Sequence, residues 1–153
     1  MTLTLIGALT YDLTLTNYIV FAEGRTAMQW VKENVPASAS FLVLTDRPDP
    51  FSDPVAEWFP VISDRTSQNT LQGREWLLGK GFMRFYDGLG DLKNCLDKTP
   101  ACLVDWASAY KVDFNYVYLE KPKKESTLLA NLRQDSNYSR VYENDEAVIF
   151  ERK

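Results

Sequence analysis

Residues 40–45, SFLVLT, constrain the fold more than any other stretch of this chain, because four consecutive apolar residues leave neither face of an extended segment polar. Successive side chains of a strand point to opposite faces, so such a run is typical of a strand that is covered on both sides. Residues 23–36 precede it with apolar side chains at helical spacing, and Pro36 ends that pattern. A helix followed by a doubly covered strand indicates an α/β domain.

The rest of the chain continues this alternation of helices and strands. Ser52 or Asp53 can cap a short helix that starts at Pro54, and Thr99 can cap another that starts at Pro100. The other predicted elements are a strand at 60–63, a brief helix from 71, helices at 88–98 and 100–110, a strand at 113–121, a helix at 125–136 and a hairpin at 138–153. We therefore predict a three-layer α/β fold, with a mostly parallel central sheet and an antiparallel edge formed by the C-terminal hairpin.

The 153 residues fit one domain, which we place at residues 23–153. Residues 1–22 are low in charge and resemble a membrane span at first sight. Threonine, aspartate and asparagine interrupt them with strand-like alternation, however, and they lack the basic start of a signal peptide. We expect an extended segment packed on the domain, and a soluble chain.

Composition excludes several classes of function. The net charge of −4 gives no basic footprint for a phosphate backbone, so we expect no nucleic-acid partner. The chain has no histidine, which excludes Ser-His-Asp and Cys-His catalysis and imidazole-ligated zinc. Known nucleotide-binding and acyl-transfer fingerprints are absent, and Asp46, Asp49 and Asp53 lack the spacing of a calcium loop. We predict no catalytic residues, no metal site and no cofactor.

The two cysteines, Cys95 and Cys102, fit neither a redox CxxC pair nor a four-ligand metal site. If two helices meet at Thr99-Pro100, the sulfurs can approach each other across the turn. Two readings stay open at this point, a disulfide in an oxidising compartment and two small buried thiols.

The best candidate for a binding site is the polar loop at residues 64–76, DRTSQNTLQGREW. It follows a predicted strand, and open parallel sheets bind ligands beyond the carboxyl ends of their strands. Arg65 and Arg74 can hold a phosphate or carboxylate, Thr70 can add a hydroxyl, and Trp76 can stack on a sugar. In the alternative interpretation, Arg65 pairs with Asp64 or Glu75, Thr70 or Asn69 caps the next helix, and Trp76 belongs to the core.

Three segments carry a resemblance to a known family: AMQWVKENVPASASFLVLTD, AEWFPVISDRTSQNTLQGREW and YSRVYENDEAVIFERK. They resemble the soluble C-terminal domain of prokaryotic polytopic membrane proteins of the glycosyltransferase type with GT-C architecture, over residues 27–153. The residues that match the family's helix and loop pattern are Trp30, Asn34, Pro36, Trp58, Pro60, Arg65, Thr70, Gly73, Glu75 and Trp76.

The resemblance implies an extracytoplasmic accessory domain, non-catalytic as an isolated chain, whose parent protein is a glycosyltransferase. Its partners would be the membrane-embedded part of that protein and a lipid-linked sugar, with Arg65, Thr70, Arg74, Glu75 and Trp76 as the substrate-binding residues. It also favours a disulfide between Cys95 and Cys102. Two other functions remain open, a free-standing module that binds a small phosphate or sugar ligand, and a protein-interaction domain.

Overall fold

The computed structural model of this protein describes residues 20–122 and 126–153. The extended segment predicted for residues 1–22 lies outside the described residues except for its last three positions, where Ala22 already begins a helix. The helices of the described chain are α1 (Ala22–Asn34), α2 (Pro54–Ser63), α3 (Arg74–Leu78), α4 (Phe82–Lys93), α5 (Ala101–Tyr110) and α6 (Thr127–Leu132). The strands are β1 (Ser40–Leu44), β2 (Thr66–Ser67), β3 (Tyr116–Glu120), β4 (Tyr138–Glu143) and β5 (Ala147–Arg152).

The five described strands form one mixed sheet in the order β2-β1-β3-β5-β4. β1 pairs in parallel with both β2 and β3, with Phe41 opposite Tyr116 in the second pair. β5 then pairs antiparallel with β3 and with β4, its hairpin partner. The predicted parallel centre and antiparallel C-terminal edge are thus confirmed, with two parallel and two antiparallel pairings.

Helices cover both faces of this sheet, as the apolar run of β1 predicts. Phe41 and Val43 of β1 pack against α1 and α2, together with Tyr118 of β3. Leu42 and Leu44 point the other way and pack against residues of α4, α5 and α6. Each alternate position of β1 therefore belongs to a separate half of the core, and the three-layer α/β fold is confirmed.

α1 forms because its apolar residues recur on one side. Ala27, Met28 and Val31 are fully buried, whereas the residues between them are mostly exposed. In the last turn of α1, the Asn34 side chain donates a 2.9 Å hydrogen bond to the Trp30 carbonyl.

Three sequence predictions were wrong in detail. Residues 60–63 are the last turn of α2 and not a strand, and the parallel edge strand β2 lies two residues further on, inside the polar loop. α4 begins at Phe82, six residues before the predicted start, since Phe82 and Phe85 extend its apolar face. α5 is not capped by Thr99: Pro100 occupies the N-cap position, without a side-chain hydrogen bond to the helix.

The C-terminal hairpin is held by one carboxylate surrounded by cations. Glu143 accepts from Lys121 at 2.7 Å, from Arg140 at 2.6 Å and from Arg133 at 2.7 Å. The hydrogen bond from Lys121, with the added charge of the two arginines, lowers the pKa of Glu143 to about 2. On the face of the sheet that α1 covers, the ring of Tyr142 stacks on Trp30 of α1 at a centroid distance of 4.8 Å.

Candidate functional site

Two parallel strands, β1 and β3, end side by side, and the chain leaves them in opposite directions. From β1 it runs through α2 to β2 on one side, and from β3 through α6 to β4 on the other. α2 and α6 also pack on opposite faces of the sheet. In open α/β sheets this arrangement leaves a crevice at the carboxyl ends of the two strands, which is the usual place for a ligand.

A cavity of about 70 Å³ lies beyond the carboxyl end of β1, beside the start of α2 and one side of α4, and we call it the carboxyl-end crevice. No residue of β3 lines it, so it lies next to the point between the two strands and not in it. It is large enough for a few water molecules or one small ion, and far too small for a nucleotide sugar. Its polar lining residues are Thr45, Arg47, Asp53, Asn69 and Lys93.

Asp53 is committed to holding α2. One carboxylate oxygen accepts from the backbone amides of Val55 at 3.0 Å and Ala56 at 3.1 Å, which makes Asp53 the N-cap of the helix. The other oxygen accepts from the Thr45 hydroxyl. Burial raises the pKa of the Asp53 carboxyl above its ordinary value, while the hydrogen bonds from Thr45 and the two amides act against that shift. Both oxygens are therefore in use, and Asp53 is one of the aspartates that the sequence left without a metal-binding pattern.

Arg47 crosses the gap between β1 and β3. Its guanidinium donates to Glu120, the last residue of β3, at 3.2 Å. Burial raises the pKa of Glu120, and the hydrogen bond from Arg47 opposes the increase. The Nε–H of Arg47 is buried and has no hydrogen-bond partner among the described residues. A buried donor of this kind, with the Lys93 ammonium on the same crevice, can hold a small anion.

The polar loop contributes only Asn69 to the lining of this crevice. The Asn69 amide accepts from the Val43 backbone amide at 2.8 Å and donates to the Val43 carbonyl at 2.7 Å. It thus continues the pairing of β1 beyond the point where the two-residue strand β2 stops. Sequence reasoning missed Thr45, Arg47 and Lys93 as site residues, although the first two directly follow the predicted strand end and could have been found there.

Arg65, the central candidate of the polar loop, is bound to the backbone of its own domain. Its guanidinium donates to the carbonyls of Val35 and Lys32, at 3.0 and 2.9 Å, and so ties the loop to the end of α1. It also donates to the carbonyls of Asp64 at 2.7 Å and Ser63 at 3.3 Å. The alternative interpretation expected an ion pair with Asp64 or Glu75. The observed hydrogen bonds of Arg65 go instead to backbone carbonyls.

Thr70 and Pro60 are joined through a single carbonyl. Pro60 lies inside α2 and has no amide hydrogen to donate to the carbonyl of Ala56, four residues before it. The Thr70 hydroxyl donates to that same carbonyl at 2.8 Å. The loop therefore replaces the helical hydrogen bond that the proline removes, which explains why an internal proline does not break α2.

The last three residues of the loop point away from the crevice. Arg74 donates to the Gln68 carbonyl at 3.2 Å, and its guanidinium lies over the Phe85 ring at 5.3 Å. Glu75 is exposed. The indole of Trp76 is 85 % exposed, so the interpretation of this residue as core is wrong. The five predicted substrate-binding residues do not converge on one pocket: three are engaged with the domain itself and two face outward.

Cys95 and Cys102 are joined by a disulfide that links the turn after α4 to the first helical turn of α5. Within residues 20–122 and 126–153 there is no cluster of three or more side chains with metal-ligating chemistry. Over the same ranges, no helix is both long enough and apolar enough to cross a bilayer.

Comparison of this chain with protein-family models, with curated proteins and with solved structures found no match.

Proposed function

We propose that this chain is an accessory domain on the extracytoplasmic side of an integral membrane glycosyltransferase-like protein. In this proposal it is not catalytic by itself, and it stabilises the membrane-embedded part or helps to position a lipid-linked sugar. One observation carries the proposal: two loop residues that match the family pattern donate to backbone carbonyls close to the prolines of that pattern. Arg65 holds the carbonyl of Val35, next to Pro36, and Thr70 replaces the hydrogen bond lost at Pro60.

These hydrogen bonds support a structural role for the pattern. Side chains whose hydrogen-bond donors already bind backbone carbonyls cannot use the same donors to transfer protons or to bind a substrate at full strength. They can, however, fix the loop rigidly, so that Glu75 and Trp76 are presented outward in a defined position. A loop that is fixed in this way and faces outward is suited to docking at the membrane to which the parent protein belongs.

The disulfide between Cys95 and Cys102 supports an extracytoplasmic location. Disulfides persist in oxidising compartments and are rare in the cytoplasm of mesophiles. The location can be tested by treating intact source cells with a membrane-permeant maleimide before lysis. Labelling of these two cysteines only after reduction would agree with the proposal, whereas labelling without reduction would contradict it.

The parent protein can be tested directly with an antibody raised against this domain. We expect an immunoblot of the source organism to show a band in the membrane fraction, with a mass well above that of 153 residues. A band of the size of this chain in the soluble fraction, with no larger form, would refute the proposal.

In the full-length protein, a double variant and a single variant separate docking from stability. Glu75→Ala with Trp76→Ala should lower glycosyl transfer while leaving the melting temperature of the domain unchanged, because both side chains are exposed. Arg65→Ala should lower both quantities. Full transfer activity of the Glu75→Ala, Trp76→Ala double variant would refute a docking role of the loop.

A second candidate function, a module that binds a small phosphate or sugar phosphate, is favoured by the unpartnered Nε–H of Arg47 in the carboxyl-end crevice. Inorganic phosphate at millimolar concentration should then raise the melting temperature, and Lys93→Gln should abolish the increase. Lys98→Gln is the matched control, since this exposed lysine does not line the crevice. The absence of any increase in the wild type would eliminate this candidate.

A further inference from the structure

A short stretch of the described chain exposes large apolar side chains that the fold does not use. We call residues 74–84, REWLLGKGFMR, the aromatic–basic segment; it comprises α3, the turn Gly79–Gly81 and the start of α4. Trp76 is 85 % exposed, Leu77 is 80 % exposed and Met83 is 60 % exposed. Single exposed apolar residues are ordinary, but three of them within eight positions form a concentration that calls for a partner.

The core contacts of this part of the chain are made by other residues than the three exposed ones. α4 enters the core through Phe85, Leu89 and Leu92, which lie on its inner side. Leu78 and Phe82 pack partly against the same core. α3 and α4 are therefore held against the core by other side chains, and those of Trp76, Leu77 and Met83 face the solvent.

A further aromatic residue extends the apolar surface from outside the segment. The ring of Phe51, itself exposed, lies 5.3 Å from that of Tyr86 and 6.2 Å from that of Phe82. The first two turns of α4 are thus flanked by one ring, that of Phe51, from the segment between β1 and α2.

The charges around these side chains identify the kind of partner. The aromatic–basic segment contains three basic residues, Arg74, Lys80 and Arg84, and one acidic residue, Glu75, which gives it a net charge of +2 in a chain of net charge −4. The acidic residues of α4, Asp87 and Asp91, come one to two turns later. The apolar side chains are therefore concentrated where the local charge is positive.

Tryptophan, leucine and methionine between lysine and arginine are the side chains of a segment that lies in a membrane interface. The rings and aliphatic groups enter the headgroup region, and the basic groups contact anionic lipids. A protein partner would not require this charge pattern. We propose that the aromatic–basic segment docks this domain onto an anionic lipid surface, an inference that rests on the proposed function because it names what the accessory domain faces.

The test uses the 153-residue chain and two kinds of vesicle, one of phosphatidylcholine alone and one of phosphatidylcholine and phosphatidylglycerol in equal parts. We expect flotation with the anionic vesicles, weaker flotation with the neutral ones, and a decrease of binding as ionic strength rises. Trp76→Ser with Leu77→Ser should lower the partition coefficient by at least about tenfold, because two side chains that enter the interface are lost. Lys80→Glu with Arg84→Glu should remove the preference for anionic lipid.

The chain offers a matched control on α2, which packs on the opposite face of the sheet. Trp58 is 47 % exposed and Val61 is 67 % exposed, and the charged residue of that helix is Glu57. Trp58→Ser with Val61→Ser removes one indole and one aliphatic side chain, as the test variant does, and should leave vesicle binding unchanged.

Three results would overturn the inference: no flotation of the wild type, flotation that survives Trp76→Ser with Leu77→Ser, and an equal loss in the α2 control. Self-association that the Trp76 and Leu77 variant abolishes, without vesicle binding, would assign the surface to a second copy of this chain instead. The vesicle result is separate from the proposed function, since a membrane-spanning parent protein could still be found by immunoblot if the isolated chain does not bind lipid.

Discussion

Arg65→Ala distinguishes a structural loop from a ligand-binding one, and the structure gives the size of the effect. Two of the hydrogen bonds of Arg65 cross from the loop to the end of α1, at Val35 and Lys32. Hydrogen bonds from a charged group contribute about 1.5–3 kcal/mol each when buried. Arg65 is half-buried, so water can replace part of this interaction in the variant. We expect a loss of about 2–3 kcal/mol in the free energy of unfolding.

Urea unfolding followed by tryptophan fluorescence measures this loss. With a denaturant slope of roughly 2 kcal/mol/M, the midpoint should fall by about 1 M while the slope stays unchanged. Arg65→Lys keeps the charge but not the planar fork that reaches several carbonyls, so it should recover less than half of the loss. Arg74→Ala is the matched control, because Arg74 donates a single 3.2 Å hydrogen bond to the Gln68 carbonyl.

A change of less than about 0.5 kcal/mol for Arg65→Ala would refute this reasoning, since it is the size expected of an ordinary surface substitution. It would mean that water satisfies the carbonyls of α1 equally well. The guanidinium would then be available for a phosphate or carboxylate, as the ligand-binding interpretation of the loop requires.

Substitutions at four further positions test the packing and electrostatics of the fold. Glu143→Gln should cost about 1 kcal/mol at neutral pH, a value reduced from the full effect of the lowered pKa because the carboxylate lies near the surface. The folded-state pKa of about 2, lowered chiefly by Lys121, is below the unfolded value of about 4.3. The extra stability of the wild type over Glu143→Gln should therefore disappear as the pH falls from about 5 to 2. Urea titrations at several pH values measure it, and the same pH dependence of stability in both proteins would contradict the ion pairs of Glu143. Gly88→Ala should lower the melting temperature, with a loss of about 1–3 kcal/mol in the free energy of unfolding, because a methyl group there would lie 2.1 Å from a packed tyrosine ring. Gly90→Ala meets nothing within contact distance and should be neutral or stabilising. Asp53→Ala should cost about 1–2 kcal/mol through the loss of the α2 cap, and Asp53→Asn should recover most of it; equal unfolding midpoints for the two variants would argue against the cap.

The elements that the sequence predicted well are those whose pattern is decided locally. α1 shows helical spacing over its whole length, and β1 and β3 are runs whose side chains are apolar on both faces. In each case the spacing of the apolar residues in the sequence matches the residues that are buried, so the segment alone is enough to predict its secondary structure. The three-layer arrangement follows from the same runs.

Residues 60–63 show where local information ends. A proline followed by two β-branched residues favours a strand, and nothing within the segment predicts a helix. The helix is retained because Thr70, ten residues after Pro60, donates to the carbonyl that the proline leaves free. A long-range contact therefore overrides the local preference, and the two-residue strand β2 is too short to produce a pattern of its own.

The site was less predictable than the fold because its residues are brought together by strand order. Arg47 and Glu120 are 73 positions apart and meet only because β1 and β3 are neighbours in the sheet. Two of the carbonyls that Arg65 contacts, those of Val35 and Lys32, likewise belong to the end of a different element, 30 and 33 positions away. The sequence singled out the polar loop as a candidate site, but residue types alone could not tell whether its arginines hold a ligand or the protein.

The polar loop divides at Gly73, and this division reconciles the two interpretations of it. Gly73 precedes α3 with φ at 81°, a left-handed conformation that favours glycine and that turns the chain outward. Before this point, Arg65 and Thr70 satisfy backbone carbonyls of α1 and α2. After it, the apolar side chains of Trp76, Leu77 and Met83 face away from the core. A fixed first half gives the second half a fixed direction, which is what the proposed docking of the aromatic–basic segment on a lipid surface requires.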